Sequence, residues 1–445
     1  MKNNNPITAN SFFILFSFFL FTGCLDTGVD PPPLTLFSLS AEEIISTEAL
    51  IKIESAHSDS VTVRLKRNGQ TIVNNLRIYE EFVLNDTLLL PKQTYTYTAY
   101  KIENGNTVDS SQPLQLTTMD TTRNDFMWQT FTFGNGSSSV INDVAIISDT
   151  LIYAVGEIYI LDSVGQNETM YNVAKWDGKK WNLKRIMIVS QQGNVHSRVF
   201  TGVYAFSATD VWFGDGNAFH WDGQDIFATA YWISGYPGNP TPVLGLNQGV
   251  SKFWGTSSSN LYGIGVNGGI AHYNGATWQK IESGTNLNMQ DIWGVTKQNT
   301  SSVEIFCGAT TLSETTIDTR LLKISSANMV DSLPWNSNWL ISSVWTTNAK
   351  TLYLGSSTLL KYRDHIVQGK DFGRFISQVR GMDQNDIFIS GSFGFLAHYN
   401  GSSWHEYFEL LNNAIAYRSL SVNDNMVAAV GFEGDKAVAT IGKRK

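Results

Sequence analysis

The chain has 445 residues, of which 42% are hydrophobic, 12% aromatic and only 16% charged, against about 25% charged in an ordinary soluble domain. This composition excludes a disordered chain, and 37 Gly beside only 10 Pro excludes a collagen-like or Pro-rich one. A formal net charge of −8 without runs of Lys and Arg excludes nucleic acid as a main partner, because phosphate contacts supply most of that affinity.

The N-terminus holds an apolar run, Ser11 to Phe21, rich in Phe and Leu. It is too short for a bilayer span, which needs about 20 apolar residues, and has the length of a signal-peptide core. Lys2 supplies a thin positive start, and the run ends in Phe21-Thr22-Gly23-Cys24. That ending resembles a bacterial lipobox, with Phe21 where Leu is usual. The resemblance implies a signal peptide over residues 1–23, lipid on Cys24 and a Pro-rich tether over 24–33. The alternative is an ordinary signal peptide with an incidental Cys. Leu25 follows the Cys in place of the Asp that signals inner-membrane retention, so the expected location is the bacterial cell envelope, at the outer membrane. Cys307, the second cysteine, lies in the apolar stretch Val303 to Cys307 and reads as a small buried hydrophobe.

Residues 34–119 alternate apolar and polar side chains, as strands do. Clear runs are Val61-Thr62-Val63-Arg64-Leu65 and Tyr95-Thr96-Tyr97-Thr98-Ala99-Tyr100, and Asn68-Gly69 marks a tight hairpin turn. Leu90-Pro91 with Tyr95 resembles the corner of a fibronectin type III domain, whose Tyr bonds back to the backbone. The early-strand Trp common in that family is missing. Such a domain is expected to be a spacer.

Over residues 126–445 one unit repeats. Its second strand ends in Gly156, Gly214, Gly265, Gly308, Gly355, Gly391 and Gly431, a spacing of about 46 residues that matches four-stranded propeller blades. First strands centre on Val144-Ala145, Val203-Tyr204, Phe253-Trp254, Ile292-Trp293, Val344-Trp345, Val379-Arg380 and Ser419-Leu420. Third strands run into Asp-Gly or Asn-Gly turns at Asp177, Asp222, Asn274 and Asn400. The seventh unit stops after its third strand, while Phe126 to Phe133 is a spare strand with a fourth-strand Trp at Trp128. The expected fold is therefore all-β: a small fibronectin III-like sandwich, then a seven-bladed propeller whose last blade that N-terminal strand completes, leaving no open edge.

Val155-Gly156-Glu157-Ile158-Tyr159, Tyr171-Asn172, Trp176-Asp177-Gly178, Trp181 and Ile292-Trp293-Gly294 resemble a family of bacterial lipoproteins. Its members place an immunoglobulin-like or fibronectin-like domain before a propeller, and some are named glucosyltransferases. The resemblance spans nearly the whole chain and brings no catalytic residues with it.

Candidate chemistry is sparse. Gly263 to Gly268 fits GxGxxG, but a strand follows where a nucleotide site needs a helix, so neither a nucleotide nor any other cofactor is expected. Asn274 to Trp278 and Asn400 to Trp404 resemble the tail of the sialidase Asp box, with Tyr273 and Tyr399 in place of its Asp. HExxH, CxxC and GxSxG are missing, and His220, His272 and His398 occupy equivalent repeat positions that suit a structural role, so no metal site is expected. A glycosidase needs two carboxylates about 5 to 9 Å apart. The loop face joining successive blades carries Glu157, Asp162, Glu168, Asp215, Glu314, Asp318 and Glu433, without a recurring pair; Glu157 and Asp215 are the weak catalytic candidates. The longest insertions share that face and supply the ligand-binding candidates Tyr159, Tyr171, His196, Arg198, Trp232 and Tyr236, whose alternative is local loop packing. Trp254, Trp293 and Trp345 read as core wedges.

The leading functional expectation is a membrane-anchored, non-catalytic binding or scaffolding lipoprotein that uses the propeller loop face, with an envelope protein or a glycan as partner. The alternatives are a carbohydrate-active enzyme and glycan binding without turnover. A fold alone decides none of these.

Overall fold

The computed structural model describes residues 37–56, 59–236, 239, 242–297, 302–312, 317–335 and 339–445. The leader, Cys24, the tether and Glu314 lie outside the described residues. Helix among them is limited to two single 3-10 turns, Val266–Gly268 and Phe408–Leu410; the ordered elements are otherwise strands.

The chain divides into two compact units. Of the described residues, the first comprises 37–39, those within 53–82, and 97–113. Its hairpin joins Val61–Arg67 to Gln70–Ile78. Asn68 and Gly69 turn it with φ of 49° and 80°, the left-handed pair that Asn-Gly accepts at least cost. Val61, Val63 and Leu65 are buried while Thr62, Arg64 and Lys66 are not, which is the period-two pattern of a half-buried strand.

The second unit comprises residues 40–52, 83–96 and 114–445. Near its start the Tyr95 hydroxyl accepts a hydrogen bond from the Leu90 backbone N–H at 2.8 Å, the corner bond expected from Leu90-Pro91 and Tyr95. Arg363 pairs with Glu43 at 2.6 Å and with Glu48 at 3.1 Å, and Lys361 also pairs with Glu48. Burial pushes the Glu48 carboxyl up, but Lys361 and Arg363 outweigh it and hold the group below its usual value.

The body of this unit is seven four-stranded antiparallel sheets, each in sequential strand order except the last. Their first strands are Val140–Ser148, Gly202–Ser207, Lys252–Ser257, Met289–Thr296, Ser343–Trp345, Ile376–Asp383 and Ile415–Val422. Each first strand packs on the next, and the seventh packs on the first. In the seventh sheet the fourth position is taken by Phe126–Phe133, antiparallel to Lys436–Arg444 with Thr130 opposite Thr440.

Register explains why the units stack. The residues Ala145, Tyr204, Trp254, Trp293, Trp345, Arg380 and Ser421 occupy one equivalent position in the seven first strands. In the seventh strand this position falls one residue beyond the Ser419-Leu420 centre read from the sequence. Trp254 and Trp345 are buried wedges. Each fills the space left by a glycine of the next sheet, since a Cβ on Gly294 or Gly381 would come within 2.8 Å of the indole.

A second regularity runs across the sheets. In the first six sheets an aromatic residue of the second strand stands opposite this first-strand position, and opposite that a basic side chain of the third; in the seventh the two are Ala428 and Ile441. Tyr262 stacks on His272 and Phe388 on His398, both with centroids 4.2 Å apart, and Trp212 lies 4.6 Å from His220. Each of these histidines also bonds through Nε2 to the first residue of its second strand: Asp210, Asn260 or Asp386, at 2.7 to 2.8 Å. Burial depresses the pKa of His272 and His398, so both favour the neutral ring.

The Gly turns between third and fourth strands also recur. The side-chain oxygens of Asp177, Asp222, Asn274 and Asn400 each accept two backbone N–H bonds, and the glycines that follow have φ of 78° to 95°, a conformation that disfavours any side chain. The Tyr273 and Tyr399 hydroxyls bond to the carbonyls of Gly275 and Gly401. The tyrosines at the Asp-box position therefore brace the turn. Gly263 to Gly268 closes a strand and makes one 3-10 turn before the strand Ile270–Tyr273.

Candidate functional site

The first strands converge on an axial cavity. Its inner part, about 210 Å³, is lined by residues of six first strands, including Asp143, Lys252, Asp291 and Arg380. A second cavity of about 680 Å³ lies where those strands begin and shares Lys252 with the first; we call it the mouth, and it has the size of a small-molecule site.

Two positions, polar in every case but Gly202, precede the apolar centre of each first strand. The inner one holds Asp143, Gly202, Lys252, Asp291, Ser343, Gln378 and Ser419; the outer one holds Asn142, Thr201, Ser251, Gln290, Ser342, Ser377 and Arg418. Six of the seven outer residues line the mouth, joined by Lys252 and Gln378 from the inner ring. Neutral hydrogen-bonding groups dominate it, with Leu340 and Phe375 as an apolar edge. Among the described lining residues there are two cations, Lys252 and Arg418, and no carboxylate.

Below the mouth Asp291 is only 1% exposed and is tied by five donors. Ser343 Oγ donates at 2.6 Å, the Val344 N–H at 3.0 Å, Gln378 Nε2 at 2.9 Å, and the Arg380 guanidinium through two nitrogens at 2.9 and 2.8 Å. Burial raises the Asp291 pKa, but the charges of Arg380 and Lys252 and these hydrogen bonds overcome it, leaving it at about 2. Arg380 also lies 4.8 Å over the Trp293 ring. The node joins the fourth, fifth and sixth sheets.

The node sets an acid limit. A carboxyl whose folded pKa is depressed contributes stability above its unfolded value, near 3.9, and loses it as pH falls through the folded value. Unfolding free energy is expected to fall between about pH 4 and pH 2, and Asp291→Asn should flatten that limb. Chemical denaturation at stepped pH checks it; an unchanged acid limb in the variant would count against the assignment.

The residues singled out in the sequence fall elsewhere. Glu157 accepts a hydrogen bond from the Tyr159 hydroxyl at 2.9 Å. Burial, with Glu157 and Glu168 beside it, raises the Tyr159 pKa. Asp215 pairs with Arg198. Burial raises its pKa against the opposing pull of Arg198 and His196, so His196, Arg198 and Asp215 form one local group. Glu157 belongs to the first sheet and Asp215 to the second, and among the described residues no hydrogen bond links them. Asp162 caps its own loop through Val164, Gln166 and Asn167. Glu168 is held by Ser137.

The aromatic candidates are tied into local packing. Tyr171 packs on the cluster containing Ile141 and Ile158, and Trp232 meets Phe219 edge-on at 6.0 Å. Tyr236, 36% exposed, donates to Gln191 Oε1 at 3.1 Å. Cys307 is fully buried near Asp291, which keeps its thiol protonated. Among the described residues no three metal-ligating side chains gather in one place. Sequence reasoning missed Lys252, Gln290, Gln378 and Arg418. The signal that finds them is their position one or two residues before the repeat-aligned centre of a first strand.

Among solved structures the chain is similar to the WD40 β-propeller domain of Doa1, with a TM-score of 0.50 and 13% identity over 72% of this chain and 97% of that one. It also matches the computationally designed Ika8 protein, with a TM-score of 0.43 and 13% identity over 69% and 98% of the two chains. No protein-family model and no curated protein matches the sequence. The first likeness shows the fold: the body of the chain is a β-propeller.

Proposed function

We propose that this chain is a lipid-anchored protein of the bacterial envelope whose seven-bladed propeller offers the mouth of its axial cavity as a non-catalytic binding site. In this reading Cys24 carries the lipid at the outer membrane, residues 24–33 are a tether, and a fibronectin III-like domain over 34–119 is a spacer. The lipobox-like Phe21-Thr22-Gly23-Cys24 supports the anchor. The WD40 likeness supports a binding role, since propellers commonly serve as binding modules.

One observation carries the choice of the mouth. It gathers hydrogen-bonding side chains at or just before the first strands of all seven sheets into one cavity of about 680 Å³ with no described carboxylate in its lining. A glycosidase would need an acid pair there.

The test uses the full chain with a panel of envelope glycans, observed by saturation-transfer NMR, with the same samples checked for product by chromatography. At least one glycan is expected to bind unchanged, and Ser377→Trp or Leu340→Trp, each filling the mouth, to abolish binding. Turnover of a bound glycan, or binding indifferent to both substitutions, would overturn the reading.

A further inference from the structure

We infer that the mouth takes a hydroxylated carboxylate of sugar-acid size, drawn in by its two cations, Lys252 and Arg418. The inference rests on the mouth being the binding site and adds the chemical class of its ligand.

The first ground is charge. The chain carries a formal −8, yet its mouth presents two cations and no described carboxylate. Positive charge in a cleft with low-dielectric walls focuses the field on an incoming anion.

The second ground is the way both cations are held. Lys252 Nζ donates to the neutral amide oxygen of Gln378 at 3.3 Å. Arg418 donates to the neutral amide oxygen of Asn142 at 2.7 Å, with its guanidinium 5.4 Å over Phe432. Among the described residues neither is in a salt bridge. The carboxylates beneath are already occupied: Asp291 by its five donors, and Asp143 by the N–H groups of Val144 and Val203 and by Ser419. Amide carbonyls thus hold both cations; Lys252 also feels the Asp291 charge beneath it, while Arg418 has no carboxylate partner among the described residues and is left for a charge-assisted bond to a bound acid.

The third ground is the rest of the lining. Gln290 uses both amide hydrogens on the carbonyls of Asn288 and Thr310, at 3.2 and 2.9 Å, which leaves its oxygen to accept a hydroxyl. Ser377 and Thr311 add hydroxyls, and Phe375, 37% exposed, supplies an apolar face for sugar C–H groups. This combination suits a polyhydroxylated ring bearing one acid better than a fatty or an aromatic acid.

The full chain would be titrated by calorimetry with D-galacturonate, D-glucuronate and N-acetylneuraminate, each beside its methyl ester. At least one acid is expected to bind about tenfold or more tightly than its ester. Lys252→Gln and Arg418→Gln should each lower that affinity about tenfold, with Lys252→Arg retaining most of it, and rising salt should weaken it. Unchanged melting curves would show that the variants fold. Equal binding of acid and ester, or full affinity in both Gln variants, overturns the inference. If neutral sugars bind and Ser377→Trp abolishes that binding, the mouth remains the site and only its acid preference falls. Silence of all acids and esters, together with no glycan binding in the panel above, removes both readings.

Discussion

Arg380→Met is expected to destabilise the folded chain by about 3–5 kcal/mol, because it strands the Asp291 carboxylate in the interior without its cation. Arg380 contacts both oxygens of Asp291 and is itself largely buried, with the two side chains 14% and 1% exposed. Removing one partner of such a pair leaves an unpaired buried charge, and the cost lies there more than in the lost attraction. A double variant, Arg380→Met with Asp291→Asn, should recover much of the loss, since Ser343, Gln378 and the Val344 N–H still serve the remaining carbonyl oxygen. Denaturant unfolding of the two single variants and the double supplies the cycle. Additive losses would mean that the node does not act as a unit.

Trp128→Ala should cost about 3 kcal/mol, the low end for a large aromatic truncation because the ring is only partly buried. Trp128 lies 5.4 Å from Phe126 and 4.7 Å from Tyr407, and it covers Gly442, where a Cβ would come within 2.2 Å of the indole. Its strand is the fourth strand of the seventh sheet, and the Thr130–Thr440 hydroxyl pair in it joins residues 310 positions apart. Arg444 strengthens the same seam by pairing with Asp386 at 2.8 Å and lying 4.9 Å over Phe126. Losing Trp128 weakens the contact that joins the two ends of the repeat region, so the urea midpoint should drop. Met127→Ala, in the same strand but 58% exposed, should leave it within about 0.5 kcal/mol. Equal effects of the two would argue against a closing role for the Trp.

Much of the architecture was legible in the sequence because it is written in short-range patterns. The second-strand glycines, the Asp-Gly and Asn-Gly turns and the aligned histidines each have a physical reason: a neighbouring backbone too close for a Cβ, as at Gly156, Gly391 and Gly431; a turn with positive φ whose side chain accepts its own N–H groups; and a ring stacked on the aromatic across the hairpin. The unmatched strand Phe126–Phe133 was legible by counting, since the seventh unit lacked a fourth strand. Even there the equivalent position in the seventh first strand is Ser421, one residue beyond the centre read from the sequence, because pairing register and not local composition fixes it.

The site was another matter. Glu157, Tyr159, Arg198 and Asp215 drew attention as charged or aromatic side chains in long insertions, and each is bound to a near neighbour in its own loop or sheet. Lys252, Gln290, Gln378 and Arg418 look in the sequence like ordinary polar residues at the start of a strand. Lys252 and Gln378 stand 126 residues apart, and only the ring of first strands brings them within 3.3 Å. The sequence by itself determined the all-β class, the repeat and the strand that completes the last sheet, because hydrogen-bonded hairpins and φ preferences are local. The tertiary structure alone decided that one polar position per sheet faces a common axis, because that convergence depends on how the sheets stack around it and not on any one of them.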